Sequence, residues 1–230
     1  MESPTDTPTE IPTTLGEQLL LLSLDDESGA AKESAKVALA ISAAALVECA
    51  LADRIEVTDG RVTVVDATPI GEPALDAALA LIAGKERPSS AKDWINRLKR
   101  DAMAEANAGL IAKGLVREEK KKVLGLIPVR RYPEADGSVE VAVRRRLDAA
   151  VLEGATPDER TGVLVALLHG AKLHRLAFPD ADARRVAAAM ETLAQGQWAA
   201  TAVRQVVKAA EDALTAIIAV TVATTVVAGS

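Results

Sequence analysis

Four aromatic residues in 230, Trp94, Trp198, Tyr132 and Phe178, leave Ala, Leu and Val to fill any core this chain builds. That points to closely approaching helices and away from an aromatic-rich sandwich. The hydrophobic fraction is 49% and the charged fraction 26%, ordinary for a globular domain, so disorder throughout is excluded. A chain of this length buries a sizeable core as one domain. Its formal charge of −6 argues against a protein that coats nucleic acid through its overall field. One cysteine, Cys49, excludes an intramolecular disulfide framework and Cys-based zinc fingers.

The N-terminal stretch MESPTDTPTEIPTT is polar, acidic and proline-punctuated, without the basic and apolar regions of a signal peptide. It reads as a disordered tail over residues 1–13, followed by a single domain over 14–230. The uncharged stretch 213–230 is at the short end of the ~17–25 apolar residues a membrane span needs. It continues a helical pattern containing Arg204, Lys208, Glu211 and Asp212, so it reads as a buried terminal helix.

The fold class expected is mainly α: a compact helix bundle with surrounding amphipathic helices and small β-hairpins. Thr14 and Glu17 have capping-box spacing before Leu19 to Leu22. A second helix is expected from Ser34 to Ala52, then a hairpin around Asp59-Gly60 and a short helix opened by Pro73. Ser90 and Asp93 start one long helix from Ala91 to Lys113, with Gly114 as its C-terminal cap. The segment from Lys120 to Val143 reads as strands and a hairpin, with helix resuming at Arg144. Thr156-Pro157-Asp158-Glu159 places Thr156 at an N-cap. The last two helices are expected over about 180–194 and 197–227. Helix, turn, strand and hairpin occur twice in that order, which is also how a winged-helix module reads.

Signals for enzyme chemistry are thin, and no catalytic residue, metal site or cofactor is assigned. His169 and His174, five apart on one expected helix, have poor geometry for a shared metal. Asp25, Asp26 and Glu27 read as an acidic turn more readily than as a hard-cation site. The informative stretch runs from Lys113 to Arg146, with ten basic residues against five acidic ones. Within it, Lys120, Lys121, Lys122, Arg130 and Arg131 bracket the apolar residues Val123, Leu124, Leu126, Ile127 and Val129, with Tyr132 just beyond. An apolar tip flanked by cations suits an anionic membrane surface. The alternative is a hairpin that packs on its own domain or on a second copy. Nucleic acid is a weaker option, because the cluster has little aromatic interleaving.

The segments TLGEQLLLLSLDDESG, LVECALADRIEV, KDWINRL, LIAKGLV and ATPDERTGVLVALLHGAKLHRLAF occur in an order that resembles the Golgi phosphoprotein 3 family. The Ala/Val-rich, Arg-rich style is similar to its actinobacterial branch, where no Golgi exists. The resemblance implies a non-enzymatic, cytoplasmic protein held peripherally on the inner face of a membrane. Eukaryotic members bind phosphatidylinositol 4-phosphate and act as adaptors for glycosyltransferase retention. A hydrophobic β-hairpin there assists membrane contact and oligomer formation, and it corresponds here to Val123 through Tyr132. The family's lipid site uses a Trp and three Arg. The matching positions here are Glu33 or Ser34 for the Trp, and Ser42, Arg100 and Met103 for the Arg residues. Lys32, Lys36 and Lys99 lie close enough in sequence to supply substitute charge. One Arg offers fewer charge-assisted hydrogen bonds than three, so general anionic-lipid binding is expected in place of strict headgroup specificity.

Overall fold

A computed structural model of the chain describes residues 11–25, 27–123, 127–196 and 199–227, with backbone only for 121–123, 127–129 and 221–227. Its first helix, α1 (Leu15–Leu21), starts at Thr14. The Thr14 hydroxyl accepts from the Glu17 N–H while Glu17 accepts from the Thr14 N–H, the reciprocal capping box expected from the sequence. The expected tail falls outside the described residues over 1–10. Ile11 packs on the core, and the Thr13 carbonyl accepts from Arg160 at 3.1 Å.

The second helix, α2 (Ser34–Leu51), is the axis of the domain. It is apolar on all sides, the signature of a helix enclosed by others. Ala40, Ala43 and Ala44 are fully buried, and these small residues let neighbouring helices approach closely. It is also the described helix long and apolar enough to cross a membrane, but two thirds of it is buried inside the protein.

The strands β1 (Ile55–Thr58) and β2 (Arg61–Val64) form a two-residue hairpin. Asp59 and Gly60 at φ 50° and 71° supply the left-handed pair such a turn needs. Then come α3 (Pro73–Ala83), with Pro73 at its first position, α4 (Ala91–Leu98) and α5 (Ala102–Ala112). The single helix expected over Ala91 to Lys113 is therefore two. The buried Trp94 and Ile95 seat α4 against α2 and the last helix of the chain, while Ala102, Ala106 and Leu110 seat α5 against α1, α2 and α3. The polar Lys99-Arg100-Asp101 turn lets the chain change partners.

The second hairpin pairs β3 (Glu119–Val123) with β4 (Ile127–Arg131) in antiparallel register, and it is followed by α6 (Ser138–Val151). Expecting strand through Val143 was wrong. The alternation in SVEVAV is incidental: Val139, Val143 and Leu147 are buried at helical spacing, whereas Val141 is 67% exposed. Next is α7 (Glu159–Gly170), whose N-cap is Asp158 and not Thr156. The Asp158 carboxylate accepts from the Thr161 N–H at 2.8 Å and from its hydroxyl at 3.1 Å, so the helix starts two residues later than expected.

The last elements are α8 (His174–Ala177), α9 (Ala183–Ala194) and α10 (Thr201–Val227). His169 and His174 lie on separate elements and not on one helix. Val206, Ala210 and Leu214 are fully buried, and α10 lies against α2, α4 and α7. The side chains expected to be buried beyond Val220, and Trp198, lie outside the described residues.

Three helix ends share one device. After α2, α5 and α7 a residue turns left-handed: Asp53 at φ 57°, Gly114 at 73° and Lys172 at 54°. Each time the next N–H reaches back over a turn, Arg54 to the Cys49 carbonyl, Leu115 to Leu110 and Leu173 to Leu168.

Candidate functional site

The start of α2 is built by a hydrogen-bonded turn. The Asp25 carboxylate accepts from the N–H and hydroxyl of Ser28 and faces Lys32 at 3.1 Å. Those Ser28 hydrogen bonds, with Lys32, bring its carboxyl down to about 2. Glu33 then sits left-handed at φ 51° and gives α2 no side-chain cap. The helix thus begins with uncapped N–H groups and the positive end of its dipole, flanked by Lys32 and Lys36. Lys36 is held by Glu33 at 2.7 Å. Burial, then the charges of Arg175, His169 and Lys36, push His174 below its usual value, so α8 borders the same positive region. Lys32 and Arg175 line one shallow cavity. The sequence reading weighed His174 only as a metal ligand beside His169 and passed over Arg175; their signal was the basic, polar start of HRLAF.

The turn before α2 also carries the base of the basic hairpin. The Tyr132 N–H donates to the Gly29 carbonyl at 3.0 Å. Gly29 is left-handed, and a Cβ there would run into the Pro133 backbone, so only glycine fits this junction. On the hairpin, Lys120 pairs across the ladder with Arg130 and Glu119 with Arg131. Arg130 lies 3.4 Å from Glu118. Lys121 pairs with Val129, Lys122 with Pro128 and Val123 with Ile127, by backbone register. The side chains of these six residues, and all of Leu124 and Leu126, lie outside the described residues.

Lys99 and Arg100 occupy the turn between α4 and α5, at the surface. Lys99 donates to the Asn96 side chain at 2.9 Å, and Arg100 lies 3.9 Å from Asp101. Both helices joined by this turn pack on α2. Lys32, Lys36 and Arg100 each already face a carboxylate, so an arriving anion competes with a surface ion pair, typically worth ~0–1 kcal/mol.

A family model described as Golgi phosphoprotein 3 (GPP34) matches residues 15–210. The chain belongs to the Golgi phosphoprotein 3 family. It is also similar to vacuolar protein sorting-associated protein 74 of Eremothecium gossypii, with 30% identity over 159 residues. That match takes in 58% of this chain and 47% of the relative, so the chain spans about half the length of that protein.

Seen as a member of the Golgi phosphoprotein 3 family, the chain has altered surroundings at the positions the resemblance singles out. Glu33 is the left-handed residue before α2. Ser42 is 1% exposed and donates to the Ala38 carbonyl at 2.8 Å, while Met103 is partly buried against the core. Neither brings charge to the surface. Among the described residues, no group of three or more His, Cys, Asp or Glu has metal-binding geometry. Burial pushes the Cys49 thiol up to about 12, far from a reactive thiolate.

A further polar network of this family member lies deeper. Glu17, 3% exposed, accepts from Lys113 through both oxygens at 3.0 and 2.8 Å, and Lys113 also donates to Glu72 at 3.3 and 3.2 Å. This network closes one end of a cavity of about 330 Å³ between α1, α2, α3 and α5. Glu48, on the wall shared with a second and more open cavity, accepts from Arg160 at 2.8 Å through Oε1. Burial, opposed by Arg160, pushes its carboxyl above the usual range.

Proposed function

We propose that the protein is a non-enzymatic peripheral membrane protein that binds anionic lipid headgroups on a cytoplasmic membrane face. The observation that carries this reading is the Tyr132–Gly29 hydrogen bond. It puts Lys32, Lys36 and the uncapped start of α2 beside the base of the hairpin that bears Lys120, Arg130 and Arg131. A phosphate would meet helix N–H groups and several ammonium and guanidinium groups together. Lys120 and Arg130 are like charges directly paired across the ladder, and a phosphate there would compete with Glu118, which already faces Arg130 at 3.4 Å. Lys99 and Arg100 add charge from the α4–α5 turn. Leu124, Leu126 and Ile127 would enter the acyl boundary. The loss of Arg at 42 and 103 favours general anionic recognition over strict selection of phosphatidylinositol 4-phosphate. Family membership supports the peripheral role.

Co-sedimentation with phosphatidylcholine vesicles containing phosphatidylserine or phosphatidylinositol 4-phosphate tests the reading. Pelleting with both anionic vesicles is expected at low ionic strength. A Lys32→Glu, Lys36→Glu variant should weaken it at least tenfold, at about 1 kcal/mol per basic residue near the surface. Protein that stays in the supernatant with every vesicle overturns the proposal.

A further inference from the structure

The cavity between α1, α2, α3 and α5 is opposite in sign to the headgroup surface. At about 330 Å³ it reaches the size of small-molecule sites, which start near ~300 Å³. Alanine is the commonest residue of its largely apolar walls, as at Ala45, Ala78, Ala102 and Ala106. Ala45 is partly exposed although Ala43, Ala44, Leu46 and Val47 around it are fully buried, because the cavity opens over it. Glu17, Glu48, Glu72 and Glu105 stand in the lining with Lys113 as its single cation. Lys113 serves Glu17 and Glu72 together, so that trio keeps a negative charge. Glu105 is half-buried at the same wall. Glu48 is 5% exposed; Arg160 donates to its Oε1 at 2.8 Å and balances its charge, while its Oε2 has no hydrogen-bond partner. A ligand that brings a donor would satisfy this oxygen.

We propose that this cavity binds a small aliphatic amine, with its alkyl chain on the alanine wall and its ammonium donating to Glu48 Oε2 amid the remaining carboxylates. An ammonium offers three donors and no acceptor, matching a wall rich in acceptors. The same charges repel carboxylates and phosphates.

Isothermal titration of the full chain with n-octylamine, n-octanol and octanoate tests it. Saturable one-site binding of octylamine is expected, with octanol at least tenfold weaker and octanoate not binding. Ala45→Leu should fill the cavity and weaken octylamine at least tenfold while the thermal melt stays cooperative. Glu105→Gln should weaken it severalfold and leave vesicle pelleting unchanged. Absence of saturable octylamine binding, or octanol binding as tightly, overturns the proposal. So does a folded Ala45→Leu protein that binds undiminished. If that variant does not fold, the charge variant decides, and unchanged octylamine affinity in Glu105→Gln overturns the assignment.

Discussion

Glu17 lies directly over Gly109, so that a Cβ at Gly109 would overlap the Glu17 carboxylate oxygen. Alanine in place of glycine inside a helix is ordinarily stabilising by about 0.5–1 kcal/mol. Here the sign reverses. Gly109→Ala must push Glu17 off Lys113 and should cost roughly 1–3 kcal/mol, the penalty of a buried polar group losing its partners. Urea denaturation measures it, and a stabilised variant would refute the close approach.

Lys113→Met removes the ammonium from a carboxylate that is 3% exposed. Breaking a buried pair from one side costs about 3–5 kcal/mol, and the partial exposure of Lys113 places this variant near the lower figure. Burial works against the Lys113 charge, but Glu17 and Glu72 outweigh it and raise its pKa. The stabilisation is therefore complete below the ordinary lysine value and lost as pH rises through the raised one. An alkaline unfolding limb that flattens in Lys113→Met is the expected readout.

Asp25 shows the opposite sign. Its carboxyl is lowered to about 2 by Ser28 and Lys32, so its contribution is complete above the ordinary value of 3.8 and disappears as pH falls towards 2. Asp25→Asn should remove that part of the acid dependence. Stability measured from pH 5 to pH 2 in both proteins checks it, and parallel curves would deny Asp25 the role.

Lys172 closes α7 in a left-handed conformation that glycine adopts without strain. Lys172→Gly should therefore raise stability, by about 0.5–1 kcal/mol after the entropy glycine loses. The thermal midpoint checks it. Asp53→Gly after α2 should behave alike, whereas Gly114→Ala should destabilise.

Much of the architecture was legible because local chemistry and tertiary structure agreed. The capping boxes at Thr14 and Ser90, the Asp59-Gly60 turn and the apolar run of α2 each specify an element unaided. The misreadings arose where a distant partner decides. Nothing between Leu98 and Ala102 announces that α4 must turn towards α10 while α5 turns towards α1. The alternation after Gly137 imitates a strand, and only the burial of Val139, Val143 and Leu147 reveals a helix. At the site, Lys32, Lys36 and Arg100 were visible as charges, but their carboxylate partners and the nearness of His174 and Arg175 depend on packing. The alanine-walled cavity gave no sequence signal beyond alanine-rich helices, because a void is a property of how helices fail to meet.

Gly29 and Tyr132 are more than a hundred residues apart in the chain, yet one peptide hydrogen bond makes their surroundings a single lever. The path from the hairpin base to Ser34, five residues beyond Gly29, does not cross the core. The hairpin base and the start of the domain's central helix are therefore joined along the surface through this one turn.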